Sequence, residues 1–96
     1  VQLLTPQNAT VILSKTSLLM EPLLEKLLVI QPHEQVKEFS ELLNIWGKEL
    51  GHDPFIHFGH KLVKAIDVFD VAIIVQTIKA IQDHLTYLKT IASNEN

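Results

Sequence analysis

The chain contains no cysteine, so disulfides and thiolate metal centres are excluded outright. It has no arginine, and its eight lysines are scattered along a sequence of net charge -3. A nucleic-acid binder concentrates positive charge on one face, so that class is disfavoured. No apolar run reaches the roughly 20 residues that a membrane span requires, so no membrane insertion of this segment is expected. The N-terminal stretch "VQLLTPQNATVILSK" lacks the charged start and small-residue cleavage site of a secretion signal. It also lacks an initiator methionine, and the chain reads as a segment of something longer. There is no glycine-rich phosphate loop and no serine on a strand-to-helix elbow, and Ser14, Ser17, Ser40 and Ser93 lie in ordinary contexts. The zinc-protease pattern His-Glu-x-x-His is missing as well.

What is present suits one globular domain with a core of its own. Of 96 residues, 47% are hydrophobic and 20% charged, which removes disorder as the leading expectation. Apolar residues recur at helical spacing. Val36, Phe39, Leu43, Trp46 and Leu50 advance by three or four and draw one stripe, with Pro32 suited to the first helical position and Glu34 to the first turn. Trp46 is expected at or near the core. Gly51 reads as a left-handed stop, and Asp53-Pro54 as the cap and first residue of a second helix. That helix carries Phe55, Gly59, Leu62, Ile66 and Phe69, and Gly59 implies close approach of a neighbouring helix. Asp70 caps a last helix with Val71, Ile74, Ile78, Ile81, Leu85, Leu88 and Ala92 in step.

The first thirty residues are less regular. Thr5 and Pro6 can open a helix, "VIL" at 11–13 is β-branched enough to be extended, and Pro22 predicts a kink or a fresh start near Glu21. Period-two alternation is absent outside residues 1–13, so strands have no support. The expected organisation is a linker or short N-terminal helix over 1–15, an all-α up-and-down bundle of about four helices over 16–93, and a disordered polar tail at 94–96.

Three histidines crowd into "HDPFIHFGHKLVKAIDVFD", residues 52–70. His57 and His60 could touch one metal ion, with His52 and Asp53 nearby, but a catalytic zinc needs three convergent ligands and no metal is expected. His84, beside Asp83, reads as part of a polar helix face. The simplest reading makes His57, His60, Lys61 and Lys64 the solvated side of the helix whose other side is the apolar stripe. A histidine phosphotransfer domain commonly carries His-x-Leu-Lys-Gly on such a helix. Here His60 is followed by Lys61, Leu62, Val63, Lys64 and Ala65, so the leucine is in place, the lysine falls one position late and the glycine is absent.

The stretch "FSELLNIWGKELGHDPFIHFGHKLVKAIDVFDVAIIVQTI", residues 39–78, resembles the C-terminal helical module of hybrid sensor histidine kinases. Gly47, Leu50, Pro54, Phe58-Gly59, Leu62, Ala65 and Phe69-Asp70-Val71 carry the likeness, and "QPHEQVKEF" at 31–39 is similar to its usual lead-in. The resemblance implies a cytoplasmic, non-catalytic bundle, similar in shape to a phosphotransfer domain, in a membrane-anchored kinase. It needs no cofactor and docks on the receiver or kinase domain of the same polypeptide, or on a response regulator. Lys61, Lys64 and Glu49 are the expected rim of the interaction face. The alternative it implies is an active phosphotransfer domain that accepts a phosphoryl group on His60, or on His57.

Overall fold

The computed structural model describes residues 4–93 as four helices: α1 (Pro6–Val29), α2 (His33–Glu49), α3 (Asp53–Asp67) and α4 (Val71–Ser93). No strand occurs among the described residues. The all-α bundle expected from the stripes is therefore the fold. The close helix pairs are α2 with α3, α1 with α4, and α3 with α4. No described helix is long and apolar enough to cross a membrane.

The stripes become the core. Val36, Phe39 and Leu43 from α2 meet Phe55, Leu62 and Ile66 from α3. Ile74, Ile78, Ile81, Leu85 and Leu88 enter from α4, and Met20, Leu24 and Leu27 from α1. Trp46 packs at the core's edge. Three buried hydroxyls are satisfied within their own helices: Thr16 donates to the Ile12 carbonyl at 2.8 Å, Ser40 to Lys37 at 2.6 Å and Thr77 to Ile73 at 2.8 Å.

α1 departs from the sequence reading. It is one helix through Pro22, with no fresh start at Glu21, and residues 11–13 are helical. The expected boundary between residues 15 and 16 falls inside it, and Ala9 and Ile12 belong to the core. The tail at 94–96 lies outside the described residues. Proline removes the bond to the Leu18 carbonyl and costs roughly 3 kcal/mol in a helix interior. Pro22 is exposed, so that carbonyl is freed on the outer side, where water can satisfy it. Met20 and Leu24, buried on either side of it, hold both halves of the helix on the core.

The caps follow the sequence closely. Thr5 Oγ1 accepts from the Asn8 amide at 3.1 Å, and Asp70 Oδ1 from the Ile73 amide at 3.1 Å. Pro32 and His52 stand at the cap positions of α2 and α3, so Pro32 is one residue before, and Asp53 one residue after, the place expected of it.

α2 and α3 approach through two glycines. A methyl group at Gly59 would stand 2.9 Å from the Ser40 carbonyl oxygen. One at Gly47 would stand 2.9 Å from the Ile56 backbone nitrogen and against Ile56 Cγ1. Both obstacles include backbone, so neither can swing aside. Gly59→Ala gains about 1 kcal/mol of helix propensity but forces the hairpin apart at a cost of about 1–3 kcal/mol. The expected outcome is a lower melting temperature, by several degrees for a domain of this size. Thermal unfolding followed by circular dichroism checks it, and an unchanged or raised midpoint would show that the helices are free to separate.

Candidate functional site

Two turns of the same design place the side chains of interest. At the end of α2, Leu50 is the C-cap, Gly51 follows with φ 62°, and the His52 amide donates to the Gly47 carbonyl at 2.8 Å. The Gly51 amide donates to the Lys48 carbonyl at 3.4 Å, which completes a Schellman motif. At the end of α3, Val68 is the C-cap, and the Asp70 amide donates to the Ala65 carbonyl at 2.9 Å and the Phe69 amide to Ile66 at 3.1 Å. The motif is the same, but its left-handed position is held by Phe69, with φ 54°.

The first turn directs His52 inward. His52 is 3% exposed, and its Nε2 lies 2.7 Å from Nε2 of His84 on α4. The ring centroids are 5.0 Å apart, the nitrogen separation plus a ring radius on each side. The imidazoles thus meet nose to nose, in one nearly straight N–H···N hydrogen bond. One nitrogen carries the proton and the other accepts it, so the neutral pair takes complementary tautomers. Aromatic rings enclose it: Phe55 stands edge-on to His52 at 4.7 Å, and Phe58 and Tyr87 flank His84 at 5.7 and 6.1 Å. Burial, reinforced by the neighbouring His84, pulls His52 down to about 4, with the Asp53 carboxylate opposing. Burial lowers His84 too.

This pair is absent from the sequence reading, which named His52 only beside a possible His57–His60 ligand pair and put His84 on a polar face. A signal exists: His84 follows Ile81 by three and precedes Leu88 by four, at the border of the inward stripe. The pair closes the α2–α3 turn onto α4. Its Nε2–Nε2 distance of 2.7 Å is that of a hydrogen bond and shorter than the about 3.3 Å between two nitrogens on one tetrahedral zinc. Among the described residues no three His, Asp or Glu side chains converge to hold an ion.

His57 and His60 are exposed on α3. With Lys61, Val63 and Lys64 they line an open groove of about 380 Å³. Lys61 and Lys64 also line a second groove of about 510 Å³, continued by Ala65, Asp67, Val68 and Ile73. Glu49 is exposed on the last turn of α2 and lines neither groove. The sequence stripe sends Phe69 to the core, but α3 ends at Asp67 and the left-handed turn throws the ring outward, where it is 75% exposed. It rests beside His33, centroids 5.5 Å apart, among the exposed Val68, Val71 and Ile73. The outcome is an apolar corner joined to a lysine-bearing helix face.

Comparison with known proteins finds no family model, no curated protein and no solved structure that matches the chain.

The histidine pair has a definite pH signature. In the unfolded chain His52 titrates near 6.5, and in the fold near 4. Above pH 6.5 both states are neutral and stability is highest. As pH falls from 6.5 towards 4 the unfolded chain binds a proton that the folded chain refuses, so stability is lost, by about 3 kcal/mol from His52. His84 acts in the same direction. Urea unfolding at pH 7, 6 and 5 is expected to give steadily falling stability, and His52→Phe/His84→Phe to flatten the slope. A wild-type midpoint constant over that range contradicts the assignment.

Proposed function

We propose that this chain is a non-catalytic interaction module of a hybrid sensor histidine kinase, docking on a receiver or kinase domain in two-component signalling. The observation that carries the interaction role is Phe69. A left-handed backbone costs a non-glycine residue roughly 1–2 kcal/mol. The equivalent place at the end of α2 is filled by Gly51, which adopts that conformation without strain. A strained position filled by an exposed aromatic gives up stability and gains a protruding apolar contact, the exchange found at binding sites. Val68 and Ile73 extend the contact, and Lys61 and Lys64 supply a basic rim suited to an acidic partner. The two-component assignment rests on the resemblance over residues 39–78.

Stability and binding should therefore respond oppositely to Phe69→Gly. It is expected to raise the melting temperature by a few degrees, since about 1 kcal/mol of strain is relieved and little buried area is lost. The same change should weaken binding to a purified receiver domain at least about tenfold, as should Lys61→Glu/Lys64→Glu. Titration calorimetry against the receiver, with and without its aspartyl phosphate, measures both. Unchanged affinity of Phe69→Gly removes the corner from the interface, and no complex in either phosphorylation state removes the reading.

A second reading is favoured by one specific observation: His60 and His57 are exposed and share their groove with Lys61 and Lys64, cations able to offset phosphate charge. In that reading His60 accepts a phosphoryl group from a receiver aspartate. Incubation with a phosphorylated receiver would transfer acid-labile label to the chain, and His60→Gln would abolish it. An unlabelled wild-type chain excludes it.

A further inference from the structure

His52 and His84 touch through one nitrogen each, and this gives the pair a definite order of proton uptake. In the neutral pair one Nε2 carries a hydrogen and donates it to the other Nε2, 2.7 Å away. The donor ring is then bare at Nδ1, and the acceptor ring carries its own hydrogen on Nδ1. Neither Nδ1 has a hydrogen-bond partner among the described residues. Neither is sealed from water, because the one buried side-chain polar atom left without a partner there is Asn44 Oδ1. A first proton therefore adds to the bare Nδ1. The Nε2–H···Nε2 bond survives and becomes charge-assisted. The only basic nitrogen then left is the accepting Nε2. A second proton reaches it only when the rings part, since two N–H groups would otherwise point at each other across hydrogen-bond distance.

Parting the rings frees one end of α3 from α4 and leaves the rest of the bundle joined. The α2–α3 turn is closed by backbone bonds of its own, His52 to Gly47 and Gly51 to Lys48, and α2 stays against α3 through Gly47 and Gly59. Further along, Leu62, Ala65 and Ile66 of α3 share the core with Ile74, Ile78 and Ile81 of α4. We propose that the His52–His84 pair is a two-proton latch: it keeps the α2–α3 turn on α4 through a first protonation and releases it at the second, while the four helices persist. The charged groups around it are few. Lys48 and Glu49 end α2 and Asp53 opens α3, all exposed. Asp83 precedes His84 on α4 and lines a groove with Glu21 and Glu25 of α1, and Tyr87 flanks the His84 ring. The Asp53 carboxylate favours the charged form of His52, but burial and the His84 charge outweigh it and hold that ring down to about 4. The latch rests on this pair alone and does not depend on what the α3–α4 corner binds.

Nuclear magnetic resonance of the ring nitrogens, titrated from pH 7 downwards, tests it. Two separate steps are expected. The first protonates an Nδ1 and leaves the ring-to-ring contacts of His52 with His84 intact. Between the steps, each unit fall in pH favours the parted state about tenfold, because parting then takes up one proton. At the second step the contacts of His84 with His52 and Phe55 disappear, while circular dichroism still reports the helices. His84→Gln separates the latch from simple charging of His52. The glutamine amide can turn to accept from a protonated His52, so in this variant the contact of residue 52 with residue 84 is expected to survive acidification. Loss of the wild-type ring contacts at the first step overturns the proposal, as does their loss together with the helical signal. A His84→Gln chain that releases the turn at the same pH as the wild type overturns it too. If that variant does not fold, the wild-type titration alone decides.

Discussion

The approach of α2 to α3 over Gly47 and Gly59 is the constraint from which the rest of the molecule follows. Neither contact is with a side-chain tip alone. Each glycine faces backbone of the other helix, the Ser40 carbonyl in one case and the Ile56 nitrogen in the other. Helices this close leave no room to vary the turn between them, and three residues, Leu50 to His52, make the reversal. Gly51 supplies the left-handed step and the Gly47 carbonyl takes the His52 amide. Gly47 therefore serves twice, as the flat spot that admits α3 and as the acceptor that fixes the residue before it. Once α3 is seated, its side facing α2 and α4 is filled by Phe55, Leu62 and Ile66, and only the His57–Lys64 face is left to solvent.

The two Schellman turns form a natural experiment in one chain. Both make the same pair of backbone hydrogen bonds, and both sit at the C-terminal end of a helix in the α2–α3–α4 run. One uses the residue that stability prefers and the other does not. Exposure argues against packing as the reason, because a ring left three-quarters in water recovers little burial energy. Contact with His33 is on the surface and small in the same way. Asp70 sharpens the point: as second residue of the turn and cap of α4 it fixes the chain on both sides of Phe69, so the ring cannot relax inward.

The parts legible in the sequence were those written in local spacing. The stripes of α2, α3 and α4, the caps at Thr5 and Asp70 and the stop at Gly51 all depend on residues within a turn or two of one another, and the structure keeps them except at the α3–α4 corner, where Phe69 and Val71 are exposed. Three features escaped because each is decided by something not local. Pro22 carries a real helix penalty, but packing of the segments on either side outweighs it, and the proline sits where water can satisfy the freed carbonyl. Phe69 lies three residues after Ile66, the right step for a core position, until the helix ends first at Asp67 and the turn reverses its direction. His52 and His84 are 32 residues apart, and no periodicity couples them. The chemistry of His57 and His60 was weighed in the sequence, and they turn out to share one groove with the two lysines, while Glu49 stands apart from it.

Geometry also sorts the histidines by what they can do. A phosphoryl acceptor must offer a ring nitrogen to an incoming phosphorus in line with its leaving oxygen, which requires an open approach. His52 and His84 each commit Nε2 to the other inside a ring of aromatic side chains, so neither can react there without breaking the contact that holds the α2–α3 turn on α4. His33 lies against Phe69 at the opposite end of α3. Only His57 and His60 combine exposure with neighbouring cations in a shared groove. The two roles open to histidine here, a buried neutral clasp and an exposed polar face, thus fall on different residues because burial separates them. The clasp closes the N-terminal end of α3 and the apolar corner stands at its C-terminal end, so one helix carries the buried histidine contact at one tip and the exposed apolar side chains at the other.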